Sequence, residues 1–554
     1  MPPVVYLALF LSLLVACSDA NDPAHRSNDE PAFPFLAYSA QPQPRGGQCE
    51  EAVDVTAPLI VNGFGFNPAN TRNQDLLIDA SNVHTLEVNF RYAPARATEK
   101  RGVPAVTAQA IFLTSGSKLL AINRLSGCAY WSFTTPAAGS NFRSGSILFV
   151  PATATTPAVV YTADFNGYVY AVEAATGELL WQTFAGTMPG LHFVTGGMQH
   201  HGGKLFVPVS SKEVLATVII PGPCCRSHGM LVALDAHNGD TLWQYHTTAE
   251  AQEVVEPDAR IGPNGAPVWA TPTLDVSRNA VYIGTGQNYT EPATATSDAI
   301  ISLDMDSGAV NWIFQARQND TWNGNCNLTA SLRCSVPPGQ DFDFGAAPIL
   351  LQDGDTLIAG DKGGVVYSIQ ADTGALNWSN KISEGSALGG IHWGMAVDED
   401  RVYAAATDFS IDKASGGRAD LIPGARPGIY ALDLATGAVE WAIHPTHTFE
   451  GLTTPSLYSA SLFISNDLLF AGSLDGVVRA FDTRDGAEKW SLDTAIRLTD
   501  VNGEAGNGGT IDSVGVVVAG DGLLINSGYS TFQGVDGRYQ AGAGNALFVL
   551  ALPR

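Results

Sequence analysis

Ala431-Leu-Asp-Leu-Ala-Thr-Gly-Ala-Val-Glu-Trp441 recurs, with variations, throughout this chain. The other copies run from Ala121 to Trp131, Ala171 to Trp181, Ala233 to Trp243, Ser302 to Trp312, Ser368 to Trp378 and Ala480 to Trp490. In each, an apolar strand end is followed by Asn, Asp, Glu or Gln, and a Gly stands four residues before the Trp. This is a hairpin pattern: one strand runs in, the Asp-x-x-Thr-Gly segment turns with glycine at positive φ, and a second strand leaves. The Trp that opens the second strand is placed to cover the hydrophobic face of a neighbouring unit. Successive Trp residues lie 49 to 69 positions apart, room for one four-stranded sheet and its loops. Self-similarity at that period predicts a solenoid or propeller, and strands without helical patterns between them favour the propeller.

The repeat also settles the domain count. By length alone, 554 residues would suggest three or four domains, but stacked blades form one body. The last strand-like stretch, Ala546-Leu-Phe-Val-Leu-Ala-Leu552, reads as a repeat cut short before its turn and Trp. Seven full repeats and a ring closed by both termini predict eight blades, with seven the alternative; closure removes exposed sheet edges. Charged residues make up only 15%, Gly numbers 58 and the net charge is −25 without runs of like charge. Nucleic acid is therefore not an expected partner.

Residues 1–16 form an apolar stretch too short to span a membrane, ending Leu14-Val15-Ala16-Cys17. They read as a lipoprotein signal, with Cys17 carrying lipid, or as a simple secretion signal. Residues 17–45, rich in Pro, Asn, Asp and Ser, read as a disordered tether, leaving 46–554 for the propeller. The expected location is the periplasm or the outer membrane through a lipid anchor; otherwise the chain is secreted. Six cysteines follow Cys17, and export would let them oxidise in any of fifteen pairings. Cys326 and Cys334 share one loop and are expected to close it. Cys49 and Cys128 are then left for each other, as are the adjacent Cys224 and Cys225, unless those two bridge to other loops. No Cys-x-x-Cys-His is present, so no c-type haem is expected. His200-His201 lacks partners at zinc-ligand spacing, and no Gly-x-Ser-x-Gly stands at a strand-to-helix turn.

Off the repeat, the chain carries Asn70-Thr-Arg, Val207-Pro-Val-Ser-Ser-Lys-Glu213, Pro223-Cys-Cys225, Trp269-Ala-Thr-Pro and Gly284-Thr-Gly-Gln-Asn288. Further on come Asp341-Phe-Asp-Phe-Gly, Gly389-Gly-Ile-His-Trp-Gly394, Gly472-Ser-Leu-Asp-Gly476 and Asn526-Ser-Gly-Tyr529. With these motifs the chain resembles the quinoprotein dehydrogenases that bind pyrroloquinoline quinone (PQQ), and among them the polyvinyl alcohol dehydrogenase branch. The resemblance runs from about Val61 to the C-terminus. It implies an eight-bladed all-β propeller that oxidises a secondary alcohol, polymeric or small, to a ketone and passes electrons to a separate cytochrome c. It also implies roles for single residues. Trp269 would stack on PQQ, with a vicinal Cys224–Cys225 disulfide as the opposite face, whereas methanol-dehydrogenase-type members carry that pair in an earlier blade. Trp393 would wall the same pocket and Trp322 would approach it from the substrate side. Lys362 would face the quinone oxygens, and Arg143 would hold a PQQ carboxylate, a job suited to guanidinium. Glu213, Asn288 and Asp320 would ligate Ca²⁺, a hard cation suited to oxygen donors, with Gln287 the neighbour to which the Asn288 assignment could shift. Asp320 follows Trp312-x-x-Gln315 and opens Asp320-Thr-Trp322, matching the family's catalytic-base motif. Each residue also has a plainer reading: buried packing for the Trp residues, a solvated turn for Lys362, surface acids for Glu213 and Asp320. The competing function is a scaffold propeller of the outer-membrane assembly type, which shares the repeat but has no use for Cys224, Cys225, Glu213, Lys362 or Asp320.

Overall fold

A computed structural model of the protein describes residues 46–94, 102–136, 142, 147–216, 223–253, 260–327, 333–412, 418–449, 451–529 and 539–553. The signal segment 1–16, Cys17, the tether up to residue 45 and Arg143 lie outside them. Eight antiparallel sheets of four or five strands follow one another along the chain as the blades of a propeller. The sixth blade shows the plan: Ala396–Val397, Arg401–Ala406, Gly428–Asp433 and Val439–Ile443, in that order. Apolar residues of adjacent blades interleave, as where Ile358 and Val366 of the fifth pack with Val402, Ala404 and Leu432 of the sixth.

The repeat explains how blades dock. Trp312 Nε1 donates to the Ala371 carbonyl of the next blade's turn at 3.0 Å. Trp131, Trp181, Trp243, Trp378 and Trp441 make the same bond to Ala174, Ala236, Met305, Leu434 and Thr483. The repeat Gly is the floor of that socket: a Cβ on Gly374, at φ +72°, would lie 2.5 Å from the Trp312 ring. The glycine therefore serves the turn and the blade interface at once.

The eighth blade is closed by both ends of the chain, as expected. Its strands Val516–Ala519, Gly522–Ser527 and Ala546–Ala551 take their outer partner, Glu87–Tyr92, from the start of the propeller. Phe90 pairs with Val549 beside a register shift, as each repeat Trp pairs with Ala or Ser beside one. Its ring meets Gly127 of the first blade, where a Cβ would lie 2.9 Å away. Phe90 thus occupies an eighth Trp position that the repeat pattern does not reveal.

Residues 61–77 join all eight blades. Val61 pairs with Val106, Asn62 Nδ2 donates to the Phe149 carbonyl, and Gln199 Nε2 donates to Asn70 Oδ1. Asn70 Nδ2 donates to Thr273 Oγ1, and the amides of Leu350, Val397 and Ile464 donate to the carbonyls of Ala69, Thr71 and Arg72. The fully buried Arg72 caps the carbonyls of Phe64 (2.5 Å), Leu462 (2.6 Å) and Val514 (3.1 Å), with its guanidinium 4.7 Å over the Phe64 ring. No helix among the described residues is long and apolar enough to cross a membrane.

Candidate active site

The third, fourth and fifth blades present the off-repeat residues on their connecting loops. Glu213 opens a short helix, Glu213–Ala216, after the strand Lys204–Ser211. Gln287 and Asn288 follow Ala280–Gly284, Asp320 follows Val310–Gln315, and Lys362 follows Thr356–Gly360. Strand ends set by blade pairing thus fix where these loops begin, and contacts between loops decide which side chains meet.

Trp269 is the centre of one cluster. Its Nε1 donates to Asp343 Oδ2 at 3.0 Å, and Lys362 Nζ lies 5.8 Å from its ring centroid. Gly345 of the Asp341-Phe-Asp-Phe-Gly motif is pressed to the ring, where a Cβ would fall 2.0 Å from it. Trp393 and His392 stand edge-on to it, with centroids at 5.2 and 5.8 Å. Trp269 and Trp393, with Phe64, Gly345 and Val514, line a small cavity that reaches the 61–77 segment. The expected Trp269, Trp393 and Lys362 therefore come together.

Lys362 is buried between two carboxylates, donating to Asp341 Oδ1 at 2.8 Å and lying 3.0 Å from Asp343 Oδ2. Burial by itself would pull the ammonium pKa down, and the two flanking acids more than reverse that; burial likewise pushes Asp341 well above the usual carboxylate range, which Lys362 offsets only in part. Asp343 Oδ1 accepts the Gln287 amide at 3.0 Å. Asp320 faces another way: Oδ1 accepts the Gln340 amide at 2.9 Å and Oδ2 that of Phe342 at 3.4 Å. Burial raises its pKa, partly offset by these donors. Asp341 and Asp343 stood in the quoted motif without a role; only their contact with Lys362 singles them out.

A second cluster surrounds the cysteine pair. Cys224 and Cys225 are joined to each other, as are Cys49 with Cys128 and Cys326 with Cys334, the three expected pairings. The vicinal pair is buried against Tyr289 and Val214. Glu213 Oε2 accepts the amides of Arg226 (2.9 Å) and Ser227 (2.6 Å) on the same strap. Asn264 ties the strap to the fourth blade, with Nδ2 donating to the Cys225 carbonyl and Oδ1 accepting the Tyr289 amide.

Between the clusters lie the two adjacent amides. Both ends of Asn288 are engaged inside the fold, Nδ2 with the Asn264 carbonyl at 2.6 Å and Oδ1 with the Thr294 amide at 2.8 Å. Gln287 differs: Nε2 donates to the Trp322 carbonyl at 3.3 Å, while Oε1 is buried without a hydrogen-bond partner among the described residues. A buried amide oxygen left unpaired is costly, and its chemistry fits a hard cation. Among the described residues no three His, Cys, Asp or Glu side chains converge as a metal cluster, so a cation here would need amide and ligand oxygens as well.

Comparison with known proteins supplies the class. A family model described as PQQ, the glucose/ethanol/alcohol dehydrogenase beta-propeller domain, matches residues 65–334. One for the outer membrane protein assembly factor BamB matches 296–491 and 362–527. The polyvinylalcohol dehydrogenase of Sphingopyxis sp. (strain 113P3) is 33% identical over 503 residues, 87% of this chain and 75% of the relative. That of a Pseudomonas sp is 33% identical over 492 residues, 86% and 74%. The quinohemoprotein alcohol dehydrogenase of Pseudomonas putida HK5 superposes with a TM-score of 0.64 at 16% identity, over 90% of this chain and 81% of that one. The fold and these relatives define an enzyme class, the PQQ-dependent alcohol dehydrogenases. Within that class the chain belongs to the polyvinyl alcohol dehydrogenase family. The scaffold alternative gives way: the assembly-factor match lies wholly from residue 296 onward, whereas the dehydrogenase relatives span most of the chain.

Proposed function

We propose that the protein is an exported quinoprotein that oxidises secondary alcohols, polyvinyl alcohol-like polymers or small molecules, to ketones with PQQ and Ca²⁺. An external cytochrome c receives the electrons. The observation that carries this reading is the joining of Trp269, Asp343 and Lys362, with the unpartnered Gln287 oxygen on the residue whose amide binds Asp343. Location in the periplasm or on the outer membrane, by lipid on Cys17, belongs to the same proposal.

In this reading the Trp269 ring and the Cys224–Cys225 disulfide flank the flat cofactor, Trp393 braces the Trp269 edge, and Arg143 takes a carboxylate. Lys362 would supply positive charge to the bound quinone. Glu213, Gln287 in place of Asn288, and Asp320 supply oxygen ligands for the cation. When bound, PQQ supplies the acceptor for the hydride and its two electrons. The chain must then take the hydroxyl proton. The motif selects Asp320 as that base; Asp343, held by Trp269, Lys362 and the Gln287 amide, is the other carboxylate beside the site. A general base commonly contributes about 10²–10⁴-fold. Apoprotein loaded with PQQ and Ca²⁺ is expected to reduce dye with secondary alcohols. Asp320→Asn should lose turnover by about that factor; near-full activity in Asp320→Asn, with loss in Asp343→Asn, would pass the role to Asp343. No dye reduction across a panel of polymeric and small alcohols would overturn the reading.

A further inference from the structure

We infer that Asp341 is a positioning residue, a second carboxylate that pins the Lys362 ammonium beside Trp269 independently of Asp343. The inference rests on the site reading above and adds to it a residue with no role there.

One carboxylate balances one ammonium. A second buried acid beside Lys362 adds desolvation cost without being needed for neutrality, so its presence calls for a function. Asp343 is a shared partner: its two oxygens also accept the Gln287 amide and Trp269 Nε1. Asp341 instead holds Nζ through Oδ1 at 2.8 Å, a contact shared with neither Gln287 nor Trp269.

The backbone is arranged for this contact. Asp341 sits at φ +61°, a conformation costly for most side chains and tolerated best by Asn and Asp. Such strain persists where surroundings hold it. Here the Asp320 carboxylate does so, accepting the amides of Gln340 and Phe342 on either side and reaching that of Asp341 at 3.5 Å. On the lysine side, Gly390 at φ +63° lets the chain pass so close to the Lys362 carbonyl that a Cβ would lie 2.0 Å from it. Both ends of the Asp341–Lys362 contact are thus set by the backbone.

Asp341→Asn replaces the carboxyl while keeping size and tolerance of positive φ, so the turn is retained. PQQ binding to the apoprotein, read by quenching of Trp fluorescence, is expected to stay within about threefold of wild type, with KM unchanged and kcat reduced about 10–100-fold, the scale of a misplaced catalytic group. Asp341→Glu should recover part of kcat. Combined with Lys362→Ala, Asp341→Asn should cost nothing further, because the residue acts through the lysine. Wild-type kcat in Asp341→Asn, multiplying losses in the double variant, or loss of PQQ binding in Asp341→Asn would each overturn the inference. A wild-type protein that shows no PQQ-dependent dye reduction would instead refute the functional reading, so the two failures are told apart.

Discussion

Phe90 carries the ring closure, and its replacement gives a measurable test of the fold. The side chain is fully buried and rests on Gly127, the glycine that in other blades receives a Trp. Phe90→Ala removes an aromatic ring from a packed interface, which costs about 3–5 kcal/mol. Across the propeller, an unfolding entropy of about 2.1 cal/mol/K per residue turns that into a Tm drop of about 3–5 °C. Phe90→Trp is the informative partner. In the repeats the Trp Nε1 reaches the carbonyl three residues before the Gly, as with Ala371 and Gly374; the matching carbonyl before Gly127 is that of Arg124. The Trp variant is therefore expected to unfold within about 1 kcal/mol of wild type, in the range of volume-tolerant core exchanges. Scanning calorimetry and hydrogen exchange over Glu87–Tyr92 check both, with faster exchange expected for Phe90→Ala alone. A Phe90→Ala protein as stable as wild type, or a Phe90→Trp protein weaker than Phe90→Ala, would refute the docking argument.

Other consequences follow from the same geometry. Gly374→Ala puts a methyl 2.5 Å from the Trp312 ring at φ +72°, and should cost at least about 2 kcal/mol in urea unfolding from overpacking and strain combined; a neutral result would remove the glycine's dual role. The disulfides should separate by function. Cys128→Ser opens a link spanning 79 positions and should cost about 4–5 kcal/mol on chain entropy. Cys224→Ser, which opens a link between neighbours, should leave the melt nearly unchanged and weaken PQQ binding; matching melts for the two would contradict this. Asp298 is fully buried with both carboxylate oxygens unpartnered among the described residues, and burial pushes its pKa well above the usual range. Its contribution is intact below the unfolded carboxylate value of about 3.9 and is lost at about 1.4 kcal/mol per pH unit above it, until the folded value is passed. Asp298→Asn should therefore gain stability over wild type as pH rises from 4 to 7, and parallel urea midpoints across that range would sink the assignment.

Much of this was legible in the chain because it is local. The turn residues, the Gly and the Trp of each repeat lie within eleven consecutive positions, so hairpin, blade and period could be read before any long-range contact was known. The cysteine pairs were legible because one lies in a single loop and one is adjacent, which leaves the third. Closure by both termini was legible too, but which stretch supplies the outer strand of the last blade was not, because it carries Phe rather than Trp.

The site divides the same way. Trp269, Lys362 and the cysteine pair stand in motifs whose neighbours mark them. The choice between Asn288 and Gln287 lay beyond the chain's local pattern, since adjacent amides differ only in which hydrogen bonds the loops around them consume. Asp320, Asp341 and Asp343 likewise belong to loops of similar composition, and contact with Lys362 from the next blade separates the last two from the first. By itself, then, the sequence determined the blade and its repetition, because strand, turn and docking Trp are set by neighbours along the chain. Which carboxylate meets the lysine and which amide oxygen is left unpaired were decided only by the tertiary structure, because those contacts form between loops of different blades and exist only once the ring has closed.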